Sequence, residues 1–158
     1  MAGCLNQLSS LRSGKSNGSI RVRIIHMWES CPVNLPMKPY SLHIVLIDSE
    51  GVRIEAIARN NLITKFKNDL LEGKVYRIST FMVSTNSGFF MASHNEFKIN
   101  FVDKTKVVLE EAPMTPMIPL NMFTFRDSEE IIATGGDYNY LIGTFIFSGQ
   151  VLAYSLGF

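Results

Sequence analysis

The placement of a single helix in an otherwise strand-patterned chain constrains the fold most. Leu62, Ile63, Phe66, Leu70 and Leu71 recur at spacings of three and four, and Gly73 ends the run. Strand signals stand on both sides of it. Ile20, Val22 and Ile24 alternate with Arg21, Arg23 and Ile25. A loop marked by Pro32, Pro36 and Pro39 follows, then a stretch rich in β-formers over 40–47. Asp48-Ser49-Glu50-Gly51 reads as a turn, and 52–58 alternates again and pairs back as a hairpin. Beyond the helix, 74–83 reads as a strand, 85–88 as a turn and 89–92 as a short returning strand. Phe97, Ile99 and Phe101 then alternate with Lys98 and Asn100 as the last strand.

Three strands, a helix, then a further hairpin and strand is the order of an OB-fold, the five-stranded Greek-key barrel, in an all-β chain with one helix. The barrel is expected over 19–109. Residues 1–18 are polar and without a period, so they read as a flexible lead-in. Pro113, Pro116 and Pro119 make 110–122 a stiff linker. The 158 residues suffice for one compact core plus a tail, and 123–158 is too short for a second domain.

The formal net charge of +1 conceals a split. Residues 1–109 hold 14 Lys/Arg against 8 Asp/Glu, a balance of +6, whereas 110–158 holds Arg126 against 6 Asp/Glu, a balance of −5. A basic body suits a polyanionic ligand. Cys4 and Cys31 form neither a disulfide framework nor a zinc motif, and His26, His43 and His94 lack metal-ligand spacing. Gly14-Lys15-Ser16 lacks the earlier glycine of a phosphate loop, since position 9 is Ser9, and no nucleophile elbow occurs. No enzyme activity, cofactor or metal is therefore expected. The first 14 residues lack the apolar core of a secretion signal. Residues 138–158 carry no charge, but Asn139, Ser148, Gln150, Ser155 and three glycines argue against a membrane helix.

The stretch Ile20 to Glu29, Tyr40-Ser41-Leu42, Leu46-Ile47-Asp48 with Gly51, Glu72-Gly73-Lys74-Val75-Tyr76, and Asn86-Ser87-Gly88 followed by Phe97 to Phe101 occur in that order. This ordered set resembles the first DNA-binding domain of the replication protein A large subunit of plants, including transposon-derived relatives, over roughly 8–110. The resemblance implies single-stranded DNA binding in replication, repair or recombination, in the nucleus, with other replication protein A subunits as further partners. Tyr140-Leu141-Ile142 resembles the start of the next OB domain, so the tail is expected to be the first strand of a truncated second one.

Single strands are held by cations on phosphates and by aromatics under bases. Period two puts Val52, Ile54, Ala56 and Ala58 inside the barrel and Arg53, Glu55, Ile57 and Arg59 on the groove face. Glu55 is thus expected to be exposed, pairing with Arg53 or Arg59 and repelling phosphate. The family carries a stacking aromatic where this chain has Arg59, whose guanidinium plane also stacks. It places another at Phe90, with Phe89 facing the core. Lys98 points outward as a phosphate contact or a plain surface lysine, and Lys38 in the first loop is a phosphate clamp. Trp28 either stacks on a base or caps the barrel, and His26 stands where relatives carry an arginine. The candidate nucleic-acid-binding residues are therefore His26, Trp28, Lys38, Arg53, Arg59, Phe89, Phe90 and Lys98. A protein-interaction OB module, a degenerate fragment that binds weakly, and RNA in place of DNA remain open alternatives.

Overall fold

A computed structural model of the chain describes residues 4–35, 37–87, 93–111, 117–119, 124–127, 142–147 and 150–155. The strands are β1 (Leu5–Asn6), β2 (Gly14–Ser30), β3 (Ser41–Ile47), β4 (Arg53–Arg59), β5 (Val75–Thr85), β6 (Phe97–Asn100) and β7 (Lys106–Leu109). The helix α1 (Leu62–Asp69) lies between β4 and β5.

Five of the strands close into a ring. β2 pairs antiparallel with β3, and β3 with β4. β4 runs parallel to β6, β6 antiparallel to β5, and β5 antiparallel back to β2. This is the OB barrel that the element order predicts, and closure removes most of the exposed sheet edge. β2 can serve both sides because it is 17 residues long. Its first part, from Gly14 to Arg23, pairs with β5, and from Arg23 to Ser30 it pairs with β3. A register shift between Ile24 and His26 inserts Ile25 as a bulge. Ile24 consequently faces the interior while Ile25 joins a separate outer cluster.

Alternation supplies the interior. Ile20, Val22 and Ile24 meet Leu42, Ile44, Leu46, Ile54, Ala56, Ala58, Ile78 and Ile99. α1 adds Ile63 and Phe66, with Leu70 just beyond it, and the Phe66 ring lies 4.7 Å from that of Phe101. Full burial of an aromatic of this size contributes about 3 kcal/mol relative to leaving it exposed. The helix is shorter than its spacing suggests: Leu70 is already extended, and Leu71 is exposed. Gly73, at φ +81°, then turns the chain so that its N–H donates to the Ile24 carbonyl at 2.8 Å.

Three segments behave differently from the sequence expectation. The lead-in packs against the barrel: β1 pairs with β2, and Leu8 and Leu11, three residues apart, are buried in the core. Buried Asp48 ties this lead-in to the β3–β4 turn, accepting from the backbone N–H groups of Leu8, Glu50 and Val52. Second, β7 adds to β5 beyond the ring. At Thr80, which adopts φ +59°, β5 exchanges β7 for β6 as one partner, while β2 pairs with it before and after that point. Third, Ile118, in the proline-containing segment, is 3% exposed and packs on the outside of the barrel against Ile25, Val45 and Ile47.

In the tail, β8 (Thr124–Asp127), β9 (Ile142–Phe147) and β10 (Gln150–Ser155) form an antiparallel sheet with β10 in the middle. Tyr140 and Leu141 lie outside the described residues. Among the described residues, no helix is long and apolar enough to cross a membrane.

Candidate nucleic-acid interface

The outer face of β2, β3, β4 and β6 is fixed by register. Trp28 stands opposite His43, and His43 opposite Ile57. One row along, His26 faces Val45, Val45 faces Glu55, and Glu55 faces Lys98. On the other side Ser30 faces Ser41, which faces Arg59. At the far end Arg53 stands opposite Ile47.

These neighbours build a column of aromatic rings. His26 and Trp28 stack at 5.6 Å and 23°, and Trp28 and His43 at 5.3 Å and 9°. Trp28 is half-buried against the outer cluster of Ile25, Val45 and Ile47, not the barrel interior. Trp28 therefore already has two imidazole neighbours in the column before any base joins it. Each histidine is anchored. His26 Nδ1 lies 2.8 Å from Glu72 Oε1, which also accepts the Met27 N–H. His43 Nδ1 lies 2.6 Å from Glu55 Oε1, and its Nε2 lies 2.9 Å from Ser41 Oγ. With Glu55 ionised, Nδ1–H donates to the carboxylate and the Ser41 hydroxyl donates to Nε2, which satisfies both ring nitrogens.

This arrangement corrects the expectation for Glu55. Its side chain is 5% exposed and pairs with His43, not with Arg53 or Arg59. Alternation does place Glu55 on the outer face, but that part of the face is covered, as Val45 and Ile57 beside it are also buried. His43 itself was not among the sequence candidates. Its signal is visible only once the β2–β3 register sets it against Trp28.

The candidate cations are distributed around the column. Arg59 is exposed at the end of β4, Lys98 is half-buried on β6, and Lys38 is exposed in the β2–β3 loop. Arg53 is half-buried, and desolvation holds its guanidinium below its ordinary pKa. Its Nη1 is buried with no hydrogen-bond partner among the described residues. None of these four forms an ion pair with a described residue. Arg21 and Arg23 contrast with them. Arg21 Nε donates to Glu110 at 2.6 Å, and Arg23 donates to the carbonyls of Gly73 and Ile118. Phe89 and Phe90 lie outside the described residues. Among the described residues, no group of His, Cys, Asp and Glu could hold a metal.

The barrel has relatives of known structure. An OB domain from Methanosarcina mazei superposes with a TM-score of 0.53 at 16% identity, over 72% of this chain and 90% of that one. A chain of a replication protein A heterotrimer bound to single-stranded DNA gives 0.57 at 17% identity, over 94% of this chain and 36% of that one. Fission yeast Pot1 with single-stranded DNA gives 0.53 at 9% identity, over 71% of this chain and 41% of that one. This chain thus spans well under half of the latter two proteins' chains, and at such identities the likeness establishes the OB fold. No curated protein matches the chain in sequence. The family model described as "domain of unknown function DUF223" matches residues 9–134, and the chain belongs to that family.

Proposed function

We propose that this chain is a non-enzymatic module of replication protein A type that binds single-stranded DNA across the outer face of β3, β4 and β6. One observation carries the reading. Arg53 and Arg59 lie on β4, which pairs with β3 of the stacked aromatic column, and Lys98 lies on β6, which pairs with β4. Lys38 lies in the adjoining β2–β3 loop, and none of the four forms an ion pair with a described carboxylate. Of the acids that touch the column, Glu55 is turned into the sheet against His43 and Glu72 is engaged by His26 and the Met27 N–H. Cations without a carboxylate partner beside aromatic rings are what a single strand requires. The OB folds of the replication protein A heterotrimer and of Pot1, each determined with single-stranded DNA, support the same reading. The sequence resemblance to the plant large subunit supports a nuclear role in replication, repair or recombination, alongside other replication protein A subunits.

The test is fluorescence anisotropy with a labelled single strand, at two salt concentrations and with duplex competitor. Three to four phosphate contacts predict an affinity loss of about 20- to 50-fold between 50 and 200 mM salt, at about −0.7 in log–log slope per contact. Duplex should compete poorly. Salt-insensitive binding, or equal competition by duplex, would sink this reading and favour a protein-interaction module.

A further inference from the structure

A second feature of the same end of the barrel has the makings of a base-reading pocket. The β2–β3 loop folds back on itself through bonds from Leu35 N–H to the Pro32 carbonyl, Lys38 N–H to the Leu35 carbonyl, and Tyr40 N–H to the Ser30 carbonyl. Asn60, just past β4, donates its N–H to the Tyr40 carbonyl, so the loop is joined to the β4–α1 corner. Between them lies a cavity of about 490 Å³. Its walls are Pro32, Leu35, Pro39 and Tyr40, and its polar groups are Lys38, Asn60 and Asn61. The two proline rings fix φ, which stiffens these walls. The Tyr40 hydroxyl accepts from Ser30 Oγ at 3.2 Å, which holds the ring upright.

The polar groups are unspent. Asn61 sits at the start of α1 but its side chain does not cap the helix. Neither the carboxamide of Asn60, nor that of Asn61, nor the Lys38 ammonium is bonded to a described residue. Apolar walls around a few convergent, unpaired polar groups describe a small-molecule-sized site. Its location gives the ligand. Arg59 directly precedes Asn60, and Ser41 directly follows Tyr40, so the cavity opens at the edge of the face where Arg59 stands opposite Ser41.

The geometry points to this cavity as the subsite for one unstacked purine base of the bound strand, adenine by its edge. This deepens the single-strand reading and rests on it. A carboxamide offers one donor and one acceptor side by side, and asparagine matches adenine by pairing with its amine and a ring nitrogen. Lys38 adds a donor, and adenine has further ring nitrogens to accept it. Thymine has no exocyclic amine to offer. The Tyr40 ring and the proline faces supply stacking area, which favours the larger purine.

The experiment compares a dT oligonucleotide with the same strand carrying a single dA, at each position in turn, by anisotropy. The variants are Asn61→Ala and Asn60→Gly, the latter because Asn60 holds φ +55° and glycine keeps that backbone. A single dA at one position should tighten binding by about tenfold, as a bidentate pair allows. The variants should lose this preference while binding the dT strand as the wild type does, with unchanged melting temperatures. Equal affinity for both strands in the wild type overturns the proposal, as does a preference that survives both substitutions. If neither strand binds, the single-strand reading fails, and the pocket is then judged alone by titrating dAMP and dTMP against the Asn60 and Asn61 side-chain NMR signals. Selective shifts with dAMP sustain the pocket, and their absence overturns it.

Discussion

Glu55 lends itself to a sharp test, because a polar pair buried on the outside of a barrel can be removed in two ways. Glu55→Leu leaves the His43 Nδ1–H without an acceptor. An unsatisfied buried donor costs about 1–3 kcal/mol. The 2.6 Å contact and the 5% exposure of Glu55 favour the upper part of that range, while the 19% exposure of His43 admits some water and lowers it. A loss of about 2 kcal/mol is expected, which in a domain of this size lowers the melting temperature by about 4–10 °C. Glu55→Gln keeps an acceptor and should cost about 1 kcal/mol or less, the difference between a charge-assisted and a neutral hydrogen bond. The decisive arm is the sign. In a His43→Phe, Ser41→Ala background Glu55 has lost its partner and is a lone buried carboxylate, so the same Glu55→Leu change should stabilise. Thermal denaturation by circular dichroism measures the wild type and all four variants. Trp28, the single tryptophan and 5.3 Å from the His43 ring, reports by its emission whether the column has moved. A cost near zero in the wild type, or a cost of the same sign in both backgrounds, would show that the pair does not hold this face together. The same reasoning predicts that Glu55→Arg lowers stability by several kcal/mol, of the order of breaking a buried pair, and so does not simply add a phosphate contact.

Arg59→Ala and Lys98→Ala should each weaken single-strand binding and flatten its log–log salt dependence by about 0.7, whereas Arg21→Ala, whose guanidinium holds Glu110, should lower the melting temperature and leave the slope alone. Ile118→Ala removes a buried side chain and should cost about 2 kcal/mol, the low end for such truncations, read as a lower midpoint in a urea titration. Thr80 holds φ +59°, a conformation costly for a β-branched residue, so Thr80→Asn should raise the melting temperature by a few degrees, about 1 kcal/mol of relieved strain. An unchanged or lower midpoint would show that the Thr80 backbone stores no strain that asparagine relieves.

The barrel was legible because its signals are local. Ile20, Val22 and Ile24, or Ile54, Ala56 and Ala58, declare their face by alternation, and all are fully buried. What alternation cannot show is which parts of the other face are covered. Period two distinguishes inside from outside, and outside is not the same as solvent, so alternation places Glu55 on the outer face without showing that it is buried there. The His26–Trp28–His43 column was half legible. His26 and Trp28 share a strand face, but His43 joins them only through a pairing register that no single segment encodes. The packing of the lead-in and of the proline segment is not legible in the sequence for a related reason. Leu8 and Leu11 stand in polar surroundings and Ile118 in a proline-rich run, with no strand or helix period to mark them, yet each is buried in one of the two apolar clusters.

The anchoring of the proline segment bears on where this domain can be cut. Composition suggests a boundary near Leu109, but two residues beyond that point belong to the barrel. Glu110 neutralises Arg21 and approaches Arg77, and its N–H donates to the Val75 carbonyl. Ile118 covers Ile25, Val45 and Ile47 and offers its carbonyl to Arg23. A piece ending at Leu109 would carry a bare apolar patch beside unneutralised arginines, the surface of a protein that self-associates and retains nucleic acid without discrimination. Binding measured on such a piece would overstate the affinity of the groove, and a piece extended past Pro119 is the one on which the groove's own chemistry can be read.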